Sequence, residues 1–88
     1  MPDASIAERV RQVVAKQLKL DLAKVTDRAH FVQDLGADSL QSMELIAAFE
    51  DEFDIEMDED DAVKVKTVGA AIEFIANCVA EQHGGTSG

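Results

Sequence analysis

The sequence predicts an all-α fold: a small four-helix bundle with a long loop between helices 1 and 2 and a short third helix. Three observations carry that reading. Apolar residues recur at helical spacing in separate stretches, and Ser5, Asp38 and Thr67 precede three of them as residues suited to cap a helix. The segment from Lys19 to Asp38 has weak periodicity and contains the turn-forming Thr26-Asp27 and Gly36. No stretch alternates apolar and polar residues convincingly enough to read as a strand.

The first helix starts near Ser5, because Ser5-Ile6-Ala7-Glu8 reads as a capping box. Ile6, Val10, Val14 and Leu18 then share one face with Val13 beside them, and Glu8, Arg9, Arg11 and Lys16 fill the remainder. The following loop is expected to be ordered and anchored by Leu20, Leu22, Val25, Phe31 and Leu35. Loops of that length are uncommon in compact domains unless they serve a function, which directs attention to the loop's end. The second helix runs from about Ser39 to Phe53, with Asp38 and Gln41 as an N-cap pair. Its apolar stripe is Leu40, Met43, Ile46 or Ala47, Phe49 or Glu50, and Phe53. Gly36 allows a tight approach to this helix because it tolerates positive φ. The third helix spans about Glu59 to Val65, capped by Asp58, and the fourth follows Thr67, burying Val68, Ala71, Ile72, Ile75 and Val79. It is expected to fray before Gly84-Gly85-Thr86-Ser87-Gly88, giving one domain over 1–82 and a flexible tail over 83–88.

With 88 residues the chain holds one small domain, of a size that buries only about 60% of its unfolded surface. A single cysteine excludes an internal disulfide and suits a reducing compartment. Met1-Pro2-Asp3 lacks a basic start, and no apolar run is long enough for a secretory or membrane-spanning segment; both observations predict a cytoplasmic protein without stable membrane insertion. The net charge of −10 argues against nucleic acid and for partners with basic patches. Between Arg28 and Lys64 there is no Lys or Arg, yet that interval holds 12 of the 18 acids. A charge run of this kind is either a solvated face or a docking surface. Because it brackets Ser39 and the helix after it, the docking reading is preferred.

Ser39, in Asp34-Leu35-Gly36-Ala37-Asp38-Ser39-Leu40, has two readings. It is a helix cap, or it is a covalent attachment point whose phosphate ester would meet free N–H groups and the positive end of the helix dipole. A hydrolytic serine fails locally, since a nucleophile elbow needs glycines where Ala37 and Gln41 stand. The histidines, His30 and His83, fall in the loop and the tail, and nothing sets either beside Ser39 with an orienting acid. Asp54, Glu56 and Asp58 alternate like calcium ligands, but Glu59 and Val65 occupy the places where an EF-hand loop needs Gly and Glu. Cys78 reads as a small packed residue, with Glu73 disfavouring a thiolate.

The run from Asp34 to Leu40, followed by Met43-Glu44-Leu45 and Phe49-Glu50-Asp51-Glu52-Phe53, resembles the acyl carrier protein family. Glu8-Arg9-Val10, Phe31-Val32-Gln33-Asp34-Leu35 and Thr67-Val68-Gly69-Ala70-Ala71-Ile72 extend the likeness in order over nearly the whole chain. The resemblance implies a non-catalytic, monomeric carrier whose Ser39 is esterified by the phosphate of 4′-phosphopantetheine. A phosphopantetheinyl transferase would install that group from coenzyme A, assisted by Asp38, and its thiol would hold acyl groups as thioesters. By the same likeness, Leu40, Met43, Glu44, Glu50 and Asp51 dock partner enzymes of fatty acid or polyketide synthesis. Phe31, Leu35, Met43, Ile46 and Phe49, with Met57, Ala62, Val65, Ala71 and Phe74, would line a pocket for the acyl chain, although ordinary core is an equal reading of each. Gln41 stands where the family commonly has an acid, Asp58 where it often has proline, and Val63 where an acid is frequent. These departures leave room beside fatty acid synthesis for a specialised polyketide or lipid pathway. An aminoacyl carrier and an unmodified acidic adaptor with the carrier fold are the competing readings.

Overall fold

A computed structural model describes residues 5–83, so the last five residues of the expected tail lie outside the described residues. Four α-helices follow one another: α1 (Ile6–Leu18), α2 (Ser39–Phe53), α3 (Glu59–Ala62) and α4 (Val68–Gln82). The fold is all-α, and α1 packs against both α2 and α4.

Ser5 Oγ accepts the Glu8 N–H at 3.2 Å and starts α1, whose Val10 and Val14 are completely buried. Arg9 is not merely a surface charge. Its guanidinium lies 4.5 Å from the centre of the Phe53 ring, and it donates to the Glu52 carboxylate at 3.1 Å and the Glu52 carbonyl at 2.8 Å. This ties α1 to the C-terminal end of α2. The helix ends at Lys19, which takes the left-handed conformation (φ 57°) that glycine usually supplies.

The long loop is ordered, by local turns and by bonds to distant parts of the chain. A single 3₁₀ turn occupies Leu22–Lys24, Val25 is buried, and Arg11 holds Asp27 at 2.7 Å. His30 and Thr67 form an isolated antiparallel bridge, flanked by Phe31 N–H to Lys66 C=O (3.0 Å) and Val68 N–H to Ala29 C=O (3.0 Å). Gly69 N–H donates to Asp27 C=O at 2.8 Å, and a Cβ on Gly69 would stand 3.0 Å from that same oxygen. The loop is therefore stitched to the start of α4. Leu22 does not anchor it, being 50% exposed; the buried Ala29 and Ala37 do more, because small side chains fit where backbone approaches backbone.

On α2 the expected stripe requires correction. Leu45, Phe49 and Phe53 form the buried face with Ile46 beside them, whereas Leu40 and Met43 are 68% and 47% exposed and Ala47 is exposed. The helix has apolar residues on two faces, so spacing alone cannot tell which one meets the core. The regular part of α3 is also shorter than expected. It stops at Ala62, after which Lys64 N–H to Asp61 C=O and Val65 N–H to Ala62 C=O form tighter turns.

Thr67 Oγ1 accepts the Ala70 N–H at 3.2 Å and caps α4. Val68, Ala71, Ile75 and Cys78 are its buried residues, while Ile72 and Val79 are half-buried. The helix ends in a clamp. Glu56 N–H donates to the Gln82 side-chain oxygen, and the Gln82 amide donates back to Glu56 C=O, both at 2.7 Å. His83, expected in the tail, closes α4 through its N–H to Val79 C=O and sets Nε2 2.7 Å from Asp54 C=O.

Candidate functional site

The approach to α2 is a compact turn. His30 N–H donates to Asp34 Oδ2 at 2.8 Å, His30 C=O accepts from Asp34 and Leu35 at 3.0 Å, and Ala37 N–H donates to Phe31 C=O at 2.8 Å. Gly36 completes it at φ +74°, in the region where a side chain would be strained. The chain thereby reaches Asp38 in extended conformation, poised to cap.

Asp38 is the cap, and Ser39 is not. Asp38 Oδ1 accepts Gln41 N–H at 2.8 Å, and Gln41 Oε1 accepts Asp38 N–H at 3.2 Å, a complete capping box. Gln41, one of the departures from the family pattern, thus has a structural task that its amide performs without charge. Ser39 is the first residue of the helix and exposed, and its hydroxyl has no hydrogen-bond partner among the described residues. Local capping does not consume that oxygen, so it is open to modification. A helix N-terminus also favours an attached anion.

Ser39 lies on the wall of a cavity of about 680 Å³. On the α2 side the wall is Ser42, Met43, Leu45, Ile46 and Phe49; opposite are Met57, Ala62, Val63 and Val65, with Ala71 and Phe74 from α4. The loop contributes His30, Phe31, Val32 and Gln33, and Lys66 completes it. Nearly all the residues expected there by resemblance come together, including Phe31, Met57 and Phe74. Leu35 is the exception, since it packs half-buried against the core without lining this space. The sequence did not point to Ser42 and Leu45, which lie on α2 outside the stripe its spacing indicated, nor to His30, Val32, Gln33, Val63 and Lys66, which lie in loops and helix junctions that carry no periodic signal.

Of the expected docking residues, Leu40, Met43, Glu44 and Asp51 are exposed on α2. Glu50 differs from them. It is half-buried, its Oε2 accepts the Met57 N–H at 2.9 Å, and its backbone carbonyl accepts from Asp54 and Ile55. This carboxylate therefore holds the α2–α3 connection. Cys78 is buried, and desolvation raises its thiol pKa, with further contributions from Glu81 and Asp61.

A family model described as the phosphopantetheine attachment site matches residues 8–75. The chain is 53% identical over 72 residues to the acyl carrier protein of Caulobacter vibrioides, covering 82% of this chain and 92% of that one. The chain belongs to the acyl carrier protein family. The acyl carrier protein of Phenylobacterium zucineum is 51% identical over 72 residues, covering 82% of this chain and 91% of the relative. A solved chain from Mycobacterium tuberculosis, provisionally assigned as an acyl carrier protein, superposes with a TM-score of 0.78 at 36% identity, covering 83% of this chain and 97% of that one.

As an acyl carrier protein the molecule is a non-catalytic carrier, and its prosthetic group is 4′-phosphopantetheine. Membership also implies work with a phosphopantetheinyl transferase and with synthase enzymes. No helix among the described residues is long and apolar enough to cross a membrane. The residues present fit the prosthetic group: an unengaged hydroxyl at a capped helix start, beside a cavity walled mainly by apolar side chains.

Proposed function

We propose that Ser39 holds the phosphopantetheine arm and that the protein presents acyl intermediates of fatty acid biosynthesis in the cytoplasm. The observation that carries this reading is the division of labour at the α2 start. Asp38 caps the helix, which leaves the neighbouring Ser39 hydroxyl exposed at the cavity wall. When bound, the group supplies a thiol on which acyl chains are held as thioesters. The chain's own residues do the rest. Asp38 and Gln41 fix the helix start, Gly36 sets its approach, and the positive end of the helix would favour the ester phosphate there. Asp38 further assists the transferase, although capping already engages one of its oxygens.

The cavity supports an acyl cargo over an aminoacyl one. Phe31, Ile46, Phe49, Met57 and Phe74 shield a chain from water, and each buried CH₂ is worth about 0.8 kcal/mol. Leu40, Met43, Glu44 and Asp51 form the exposed face of α2 offered to basic patches on partner enzymes. Glu50 adds its charge there while bracing the α2–α3 connection.

The reading is tested by charging the loaded protein with a malonyl transferase of fatty acid synthesis and with an aminoacyl-adenylating enzyme. Efficient malonyl transfer to wild type and none to Ser39→Ala is the expected result. Preferential aminoacyl charging would move the protein to the aminoacyl class. A wild-type chain that accepts no arm would make it an adaptor.

A further inference from the structure

The cavity wall is unlike the rest of this chain. Among the described residues, 12 acids lie between Arg28 and Lys64, yet no Asp or Glu lines the cavity. Its only basic residues are His30 and Lys66, with Gln33, Ser39 and Ser42 as further polar groups. Both backbones are fixed, through His30 N–H to Asp34 Oδ2 (2.8 Å) and Phe31 N–H to Lys66 C=O (3.0 Å). Lys66 is exposed and makes no ion pair among the described residues; the cations that do are Arg9, Arg11 and Lys64.

Building on the carrier reading, we propose that His30 and Lys66 form an oxyanion site on the cavity wall, which accepts an anionic group brought by the arm. An isolated carboxylate or phosphate against apolar walls is strongly disfavoured unless it is paired. Lys66 is exposed, so such a pair has the strength of a surface ion pair and weakens with salt. Along the acidic stretch between Arg28 and Lys64 an anion is repelled. The group is either the phosphodiester joined to Ser39 or a carboxylate at the far end of a dicarboxylic acyl chain. The second source would make Lys66 a determinant of cargo choice, admitting chains that an all-apolar cavity excludes.

The experiment compares wild type with Lys66→Gln, each in unloaded, pantetheinylated, octanoyl-loaded and octanedioyl-loaded forms, with intact mass establishing the loading. Thermal unfolding and the Lys66 ammonium resonance are read for each. A cargo carboxylate on the site raises the Tm of the octanedioyl form above the octanoyl form by about 4 °C, shifts the Lys66 signal, and loses both effects in Lys66→Gln. The arm phosphate as occupant gives the Lys66 shift on pantetheinylation itself, unchanged by either cargo. A Lys66 signal identical in all wild-type forms, with Lys66→Gln altering no Tm difference, overturns the proposal. Should Ser39 refuse the arm, the carrier reading fails separately. The site is then tested on the unloaded protein with free octanoate against octanol: a Lys66 shift with octanoate alone supports it, and equal responses overturn it.

Discussion

Charge reversal on α2 separates docking from folding, provided the acids are chosen by what they touch. Glu44 and Asp51 are exposed, and neither belongs to an ion pair among the described residues, so changing both to Lys leaves stability within about 0.5 kcal/mol of wild type. Each lost surface attraction is worth about 0.2–1 kcal/mol. Together the two reversals lower kcat/KM with a basic partner enzyme by about 2- to 30-fold, since 1.36 kcal/mol is tenfold. The loss shrinks as salt is raised, because the screening length falls to about 8 Å at physiological ionic strength. Glu50→Lys behaves otherwise. It removes the acceptor of the Met57 N–H and also costs about 1–3 kcal/mol of stability. Glu50→Gln keeps an acceptor oxygen and removes the charge, so it recovers much of the stability without the docking contribution. The assay pairs steady-state kinetics of a partner enzyme, at low and high salt, with thermal unfolding of each variant. Unchanged kinetics at low salt for Glu44→Lys/Asp51→Lys, or equal stability of Glu50→Lys and wild type, would refute the reasoning.

Other consequences can be checked by simpler means. Arg9→Ala loses the contact with Phe53 and both bonds to Glu52, lowering stability by about 1–2 kcal/mol and Tm by about 4–8 °C per kcal/mol; Arg9→Lys recovers only part, lacking the planar fork. Gln82→Ala releases both Glu56 bonds and is expected to increase amide hydrogen exchange at Glu56 and Met57 while leaving α1 protection unchanged. The raised folded pKa of Cys78 means that its contribution to stability is complete below the ordinary thiol range and is lost as pH rises through the folded value. Native Cys78 therefore alkylates more slowly at pH 8 than the same thiol in denaturant, as peptide mass spectrometry would record.

What the sequence made legible was local. Ser5, Asp38, Asp58 and Thr67 all accept backbone N–H groups at their helix starts, because capping depends on residues two or three apart. Gly36 takes the positive φ expected of it. The Ser39 hydroxyl could not be assigned from the chain alone, since Asp38 and Ser39 are both good caps; only the geometry settles which one caps. What escaped was non-local. The His30–Thr67 bridge, the Arg9–Phe53 contact and the Gln82–Glu56 clamp join residues distant in sequence, and no periodicity encodes them. The misjudged stripe of α2 has a related cause: its Leu40 and Met43 are apolar but exposed, on a face that a partner or cargo, and not the core, would cover.

Localising the arm by tandem mass spectrometry, after incubation with coenzyme A and a broad phosphopantetheinyl transferase, goes straight to the centre of this account. The wild-type chain should gain one phosphopantetheine, found on the peptide containing Ser39, and Ser39→Ala should gain none. A wild-type chain that stays unmodified, or a Ser39→Ala chain that is still labelled, would contradict it.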